Sequence, residues 1–196
     1  MRLGVKLKPM TPETFCDPLY TKALGELVTR IVQAESPVSF DVVSAEMLEM
    51  LGITKNSAKL KARCDYLVKY SKVPFTMQNL DGEGEDEGTK ILWADQASSY
   101  GICPFYRVPV IGGKPRKASD IAVQEAARAA IDIAEEQMGL PRQSLITETA
   151  KALGFTRTAS TTDCFKLCEK AIDFAFDQDA LSIDDNGFIT PSNSFV

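Results

Sequence analysis

Apolar side chains in the first third of the chain recur at intervals of three and four residues, the spacing that lines one face of an α-helix. Three such segments follow one another. Pro37 ends the first because proline restricts the residue before it, and Gly52 ends the second because glycine suits the left-handed conformation that often follows a helix. The pattern predicts helices over Leu19–Ala34, Phe40–Leu51 and Ser57–Tyr70.

The periodicity changes after the third helix, where apolar and polar residues alternate as they do in a β-strand. Val73, Phe75 and Met77 are the apolar members, and Ile91–Trp93 forms a second short apolar run. Residues 81–88 between these runs contain glycines and five carboxylates. We therefore predict a hairpin, or wing, with a long acidic tip.

Three helices followed by a hairpin is the element order of a winged helix-turn-helix, which we assign to residues 19–93. Residues 1–18 contain three prolines and no clear periodicity, so we predict an irregular N-terminal arm. Residues 94–117 are rich in glycine and proline and are predicted to be a linker.

The second half of the chain repeats this order. We predict helices over Ile121–Met138 and Gln143–Leu153, a third helix that carries Cys164, Cys168 and Ile172, and a hairpin closed by Asn186-Gly187. This second module spans residues 118–191, and residues 192–196 form a tail. The predicted fold class is therefore mostly α with small β-hairpins, arranged as tandem winged helix-turn-helix-like modules.

Matching turns support a duplication. A shift of 102 positions lays Leu51-Gly52-Ile53-Thr54-Lys55 over Leu153-Gly154-Phe155-Thr156-Arg157. With two extra residues in the second copy, the apolar positions of the next helices also match: Leu60, Cys64 and Val68 lie over Cys164, Cys168 and Ile172. The order of elements and the two glycine turns, more than residue identity, indicate the internal repeat.

Composition narrows the possible chemistry. The 196 residues include no histidine, so neither a Ser-His-Asp triad nor a His-ligated zinc site can form. Residues 112–115 lack the spacing of a phosphate-binding loop. Residues 184–189 suit a hairpin turn better than a calcium loop, because Asn193 stands where a carboxylate is needed. We expect no enzymatic activity, no catalytic residues, no cofactor and no metal.

Charge and cysteine usage set further expectations. Five scattered cysteines argue against a disulfide framework. No apolar run is long enough to span a membrane, and residues 1–6 lack the stretch of a secretory signal, so we expect a cytoplasmic protein without membrane contact. The net charge of −5 argues against a generally basic nucleic-acid-binding surface and leaves a local basic patch open.

Such a patch occurs on the predicted third helix, the element that enters the major groove in helix-turn-helix proteins. The candidate nucleic-acid-binding residues are Lys55, Lys59, Lys61 and Arg63 in the first copy and Arg157 and Lys166 in the second. Two alternatives stay open. Lysines on a helix are also typical of a solvated surface, and an acidic wing repels phosphates, which favours a protein–protein docking adaptor instead.

Three segments also resemble a known family: Glu35-Ser36-Pro37-Val38 and the two glycine turns at residues 51–55 and 153–157. Across residues 19–191 the chain resembles an uncharacterised domain family at the C-terminus of large bacterial proteins that combine a superfamily-one helicase core with a nuclease-like domain. The resemblance implies an accessory part of a DNA-processing or defence machine. Its partners would be DNA and the helicase or nuclease domains of a parent protein, which would hold the ATPase and nuclease motifs.

Overall fold

The computed structural model of the protein describes residues 8–55, 57–81, 88–109 and 116–192. Helices dominate, and small β-hairpins complete the structure, which confirms the predicted mostly α fold with hairpins. The acidic tip at 82–87, the glycine-lysine stretch at 110–115 and the tail from 193 lie outside the described residues. Over the described ranges, no helix is both long and apolar enough to cross a membrane.

The chain divides into two compact units. The first consists of Met1–Thr76 and Lys90–Gln96, and the second of Met77–Thr89 and Ala97–Val196. The boundary therefore falls inside the first hairpin, which the sequence assigns to the first module.

Three main helices, preceded by a short one, form the first unit. The helices are α1 (Pro12–Cys16), α2 (Thr21–Glu35), α3 (Phe40–Met50) and α4 (Ala58–Ser71). The strands are β1 (Val38–Ser39), β2 (Phe75–Gln78) and β3 (Thr89–Leu92), of which residues 77, 78 and 89 group with the second unit. Ser39 and Ser57 start α3 and α4 because each hydroxyl accepts a hydrogen bond from a first-turn backbone N–H. Helices α2, α3 and α4 confirm the three predicted from the apolar pattern.

The sheet of this region has the strand order β1-β3-β2. Val38 and Ser39 of β1 pair antiparallel with Leu92 and Ile91 of β3. Apolar periodicity did not predict β1, since two residues are too few to show an alternation. The pairing ties the connection between α2 and α3 to the hairpin that follows α4.

The segment predicted to be an irregular arm, residues 1–18, is partly helical, so that prediction is wrong for residues 12–16 and for residue 18. It contains α1 and a 3-10 turn at Pro18–Tyr20. Phe15 of α1 is fully buried in the core formed with α2, α3 and α4. The prolines misled the prediction because Pro12 and Pro18 stand in the first turn of these elements, where a missing N–H costs nothing.

The second unit repeats the succession of elements. Its helices are α5 (Val123–Glu136), α6 (Arg142–Ala152) and α7 (Asp163–Asp177), and its strands are β4 (Leu181–Ile183) and β5 (Ile189–Pro191). β4 and β5 pair antiparallel, and Leu140, between α5 and α6, bridges Ile189. Gly187 closes the turn at φ +82°, which confirms the predicted Asn-Gly hairpin.

Small side chains let the helices of the second unit approach closely. Ala126, Ala127 and Ala130 are fully buried on α5, which packs mainly against α7. The predicted linker belongs to this unit from Ala97 onward. Within it, Ile102 and Tyr106 contact the core of the second unit, so this part of the segment is packed.

The two glycine turns share one backbone geometry. Gly52 and Gly154 have φ values of +71° and +95°, in the left-handed region that favours glycine. In each copy the glycine N–H bonds the carbonyl three residues back, and the next N–H bonds the carbonyl five residues back, at 2.9–3.0 Å. A proline also covers each glycine, Pro9 in the first unit and Pro109 in the second. The likeness thus includes the segment before each set of helices.

Candidate nucleic-acid interface

Charge is distributed unevenly between the two units. By sequence, the first unit has twelve basic and nine acidic side chains, a net charge of +3. The second has ten basic and eighteen acidic side chains, a net charge of −8. The total of −5 therefore conceals a basic unit joined to a strongly acidic one. An anionic ligand such as nucleic acid is favoured on the first unit.

Lys55 and Lys59 flank the start of α4. Lys55 follows the Gly52 turn, Lys59 lies in the first helical turn, and both side chains are exposed. Within the described part of the chain, neither forms an ion pair. Glu13 of α1 is close enough to sense both charges. The pKa of Glu13 lies below its ordinary value, chiefly because backbone and Thr11 hydrogen bonds stabilise the carboxylate, with smaller contributions from the two lysines.

Lys61 is on a different side of α4. Its Nζ lies 2.9 Å from the carboxylate of Asp41 and 5.9 Å from the ring centre of Phe40, both in α3. Both members of the ion pair are largely exposed. The neighbouring aspartate reduces the attraction of Lys61 for a phosphate.

A second aspartate, Asp65 of α4, forms ion pairs with two lysines. Asp65 accepts from Lys69 at 2.7 Å and from Lys90 of β3 at 2.5 Å. Burial raises the pKa of Asp65, but the hydrogen bonds from the two lysines outweigh it and leave the pKa below its ordinary value. Lys69 and Lys90 therefore share one anion and retain part of their positive charge.

Arg63 holds the N-terminal segment in place. Its Nε donates to the Phe15 carbonyl at 3.2 Å, and its Nη2 donates to the Asp17 carbonyl at 3.1 Å and to Thr21 Oγ1 at 2.9 Å. Sequence reasoning placed Arg63 on an outer binding face beside Lys59. The structure covers that flank with α1, which the apolar pattern did not predict.

The two candidates in the second copy have different surroundings. Arg157 is exposed in the turn before α7, where its carbonyl accepts a hydrogen bond from the Cys164 thiol at 2.9 Å. Lys166 of α7 is half-buried and forms an ion pair with Asp81. The hydrogen bond that Lys166 donates to Asp81 within this ion pair raises the pKa of Lys166. The structure therefore places the six predicted residues in two units of opposite net charge.

Two tyrosines on α4 belong to the same surface, and sequence reasoning missed them. The side chains of Tyr66 and Tyr70 are 51% and 49% exposed, and their rings lie 25° from parallel with centroids 6.5 Å apart. The guanidinium of Arg63 lies 5.3 Å from the Tyr66 ring centre. The available signal was the spacing of four between two tyrosines outside the apolar stripe of the helix.

Comparison of the chain with protein-family models, with curated proteins and with solved structures finds no match. In the parts of the chain that the structure describes, no three Cys, Asp or Glu side chains converge in a way suited to a metal ion. Function must therefore be inferred from the charge, exposure and packing of the residues described above.

Proposed function

We propose that residues 19–93 and residues 118–191 each form a winged-helix-like module. Two features support this. The first is the chain order of helix, short strand, two helices and hairpin, with β1 placed next to β3 in the sheet. The second is the same order in the other unit, where Leu140 stands in the place of β1 and bridges Ile189 of β5. The helix pairs joined by Gly52 and Gly154 then correspond to helix-turn-helix pairs.

We further propose that the protein is a non-enzymatic module that binds nucleic acid through the first unit. The observation that carries the proposal is the pair of exposed lysines, Lys55 and Lys59, at the start of α4 in a unit of net charge +3. The positive end of the helix dipole lies at the same place and adds to the attraction for a phosphate. The second unit, at −8, repels a nucleic-acid backbone, so Arg157 and Lys166 contribute little.

The resemblance to domains of helicase-related proteins extends the proposal to a setting. The module would serve as the accessory part of a DNA-processing protein, with ATPase and nuclease activity in other domains. It would supply substrate affinity there, since phosphate contacts account for most non-specific binding energy. Co-purification of the chain with helicase or nuclease domains would test this part independently of DNA affinity.

A second candidate function, protein docking, is favoured by the surface of the second unit. Met138 is 90% exposed and Ile183 is 65% exposed, and Phe188 of the hairpin is also exposed. Apolar side chains on an acidic unit suit a partner with basic and apolar side chains. Docking by the second unit is compatible with nucleic-acid binding by the first.

Titration of the full chain against labelled single-stranded and duplex DNA at two salt concentrations tests the proposed nucleic-acid binding. Replacing Lys55 and Lys59 by alanine should weaken binding and reduce the salt slope of log K by about 1.4 for single strands or about 1.8 for duplex. Replacing Arg157 and Lys166 by alanine removes the same number of charges from the second unit and should change neither quantity. Absence of binding at low salt, or an equal loss in both variants, would refute the proposal.

A further inference from the structure

Tyr66 and Tyr70 present an aromatic surface that the lysines do not account for. The rings stand one helical turn apart on the exposed side of α4, within 25° of parallel. Their ring centroids lie 6.5 Å apart. The exposed half of each ring offers a surface on which a planar base can stack.

Both rings are held in place by other parts of the first unit. Tyr70 packs against α2 at Gly25, where an added Cβ would lie 2.9 Å from the ring atom Cδ1. The guanidinium next to Tyr66 belongs to Arg63, which two hydrogen bonds fix to the segment before α2 and a third to Thr21, the first residue of α2. Preorganised aromatic rings lose little conformational entropy when they bind a ligand.

The polar surroundings of the rings suit a strand backbone. Lys59 precedes Tyr66 by seven residues, about two helical turns on the same side of α4, and has no ion pair with any described residue. Lys69 lies on the adjacent side, next to Tyr70 in sequence. Neither tyrosine hydroxyl has a hydrogen-bond partner among the described residues. The exposed ring surfaces and the hydroxyl groups are therefore available to a ligand that has both aromatic rings and negative charges.

We propose that Tyr66 and Tyr70 form a base-stacking platform for an unpaired nucleic-acid strand, with Lys55 and Lys59 contacting its phosphates. This inference rests on the proposed nucleic-acid binding and adds that the ligand is single-stranded. In a duplex the faces of the bases are covered by their neighbours, whereas a single strand exposes them to aromatic side chains.

A comparison of three ligands of equal length tests the platform on the unaltered protein. The ligands are a twelve-residue oligothymidine, a strand of the same length with abasic sugars, and a duplex. The platform predicts that oligothymidine binds more tightly than the abasic strand, by about 5- to 150-fold for each base that stacks, and more tightly than the duplex. The unaltered chain needs no variant to fold for this measurement.

Three variants then locate the effect. Replacing both Tyr66 and Tyr70 by leucine should remove the preference for oligothymidine over the abasic strand and leave the salt slope unchanged, since no charge is lost. Replacing both by phenylalanine should retain the preference. Replacing Tyr100, an exposed tyrosine of the second unit, by leucine is the matched control and should have no effect. Circular dichroism checks that each variant is folded.

The outcomes separate the two proposals. If the chain binds neither strand nor duplex at low salt, the proposed function and the platform both fail. If it binds, but the abasic strand binds as tightly as oligothymidine, the platform is refuted and the proposed function stands. An unchanged base preference in the folded leucine variant likewise refutes the platform alone. A preference for duplex over single strand also refutes the platform.

Discussion

A buried ion cluster in the second unit gives the sharpest stability prediction. Glu125 of α5 is 1% exposed and accepts hydrogen bonds from two arginines that precede it in the chain. Arg107 donates its backbone N–H at 3.0 Å and its Nε at 3.2 Å, and its Nη2 forms an ion pair with the same carboxylate. Arg116 Nη2 lies 2.8 Å from Glu125 and 3.0 Å from the Arg107 carbonyl. One carboxylate thus anchors the segment before α5 at two points.

The expected cost of removing this carboxylate follows from its burial. Breaking a buried ion pair by deleting one partner costs about 3–5 kcal/mol, because the remaining charge is left uncompensated. Arg107 and Arg116 retain 29% and 27% exposure, so water partly compensates them. We expect Glu125→Ala to lower the free energy of unfolding by about 3 kcal/mol. Glu125→Gln keeps the shape and one acceptor and should cost about 2 kcal/mol.

The pH dependence of the effect has a defined sign. Burial raises the pKa of Glu125, but the hydrogen bonds and charges of Arg107 and Arg116 outweigh it, so the pKa lies below its ordinary value. A carboxyl group with a lowered folded-state pKa stabilises the protein fully above its unfolded pKa of about 4.3. This stabilisation is lost as the pH falls through the folded-state value. The difference between wild type and Glu125→Gln should therefore shrink only in acid.

Urea denaturation at pH 7 and at a series of lower pH values measures both effects. Glu148→Gln is the matched control, because Glu148 pairs with Lys151 at 2.7 Å on an exposed part of α6. It should change the free energy of unfolding by less than about 0.5 kcal/mol. A Glu125→Gln variant as stable as this control at pH 7 would refute the reasoning. So would a stability difference that does not diminish in acid.

Three further predictions concern packing. Arg63→Ala should lower the free energy of unfolding by about 2–3 kcal/mol, because two carbonyl groups and one hydroxyl group lose a charged hydrogen-bond donor. A loss below about 0.5 kcal/mol in urea denaturation would contradict this prediction. Gly154→Ala should lower the melting temperature more than Gly52→Ala, because both require a left-handed backbone but only the Gly154 Cβ would lie 2.5 Å from a proline ring. Burial raises the pKa of Cys168 to about 12, so its labelling by iodoacetamide at pH 8, followed by mass spectrometry, should require unfolding. Rapid labelling of Cys168 in the folded protein would contradict this last prediction.

Much of the scaffold was predictable because long helices have a strong apolar period. The six main helices and the Asn-Gly hairpin all appear where their patterns predict them. Shorter elements left too little signal: β1 has two residues and α1 has five. Their positions depend on contacts with residues distant in sequence. Val38 pairs with Leu92, and Phe15 is buried in the core of the first unit. A local pattern cannot contain that information.

The candidate site was less predictable than the scaffold, for a related reason. Sequence spacing places Lys59 and Arg63 on one side of a helix, which is correct for an isolated helix. Whether each is available depends on what packs on that side, and α1 engages Arg63 but leaves Lys59 exposed. Likewise Asp41, which pairs with Lys61, belongs to another helix. The net charge of the chain was also misleading, because −5 is the sum of +3 on the first unit and −8 on the second.

The proposed binding surface has no counterpart in the second unit, although the order of helices and strands is similar. When Leu60, Cys64 and Val68 are laid over Cys164, Cys168 and Ile172, every one of these core positions is buried in both copies. The positions that are exposed on α4 differ in the second copy. Lys59 and Lys61 of α4 correspond to Asp163 and the buried Phe165 of α7, and the tyrosine pair corresponds to Lys170 and Phe174.

The core positions are thus apolar and buried in both copies, whereas the charge at the position of Lys59 is reversed in the second copy. Because a shared fold does not dictate a shared ligand, we expect nucleic-acid affinity in one copy only. The acidic second copy is then available for a different contact. A chain with Asp163→Lys tests this division, since restoring a lysine at one position should add little affinity while the unit keeps its strongly negative charge. A gain as large as the loss caused by Lys59→Ala would show that the local position, and not the charge of the unit, determines binding.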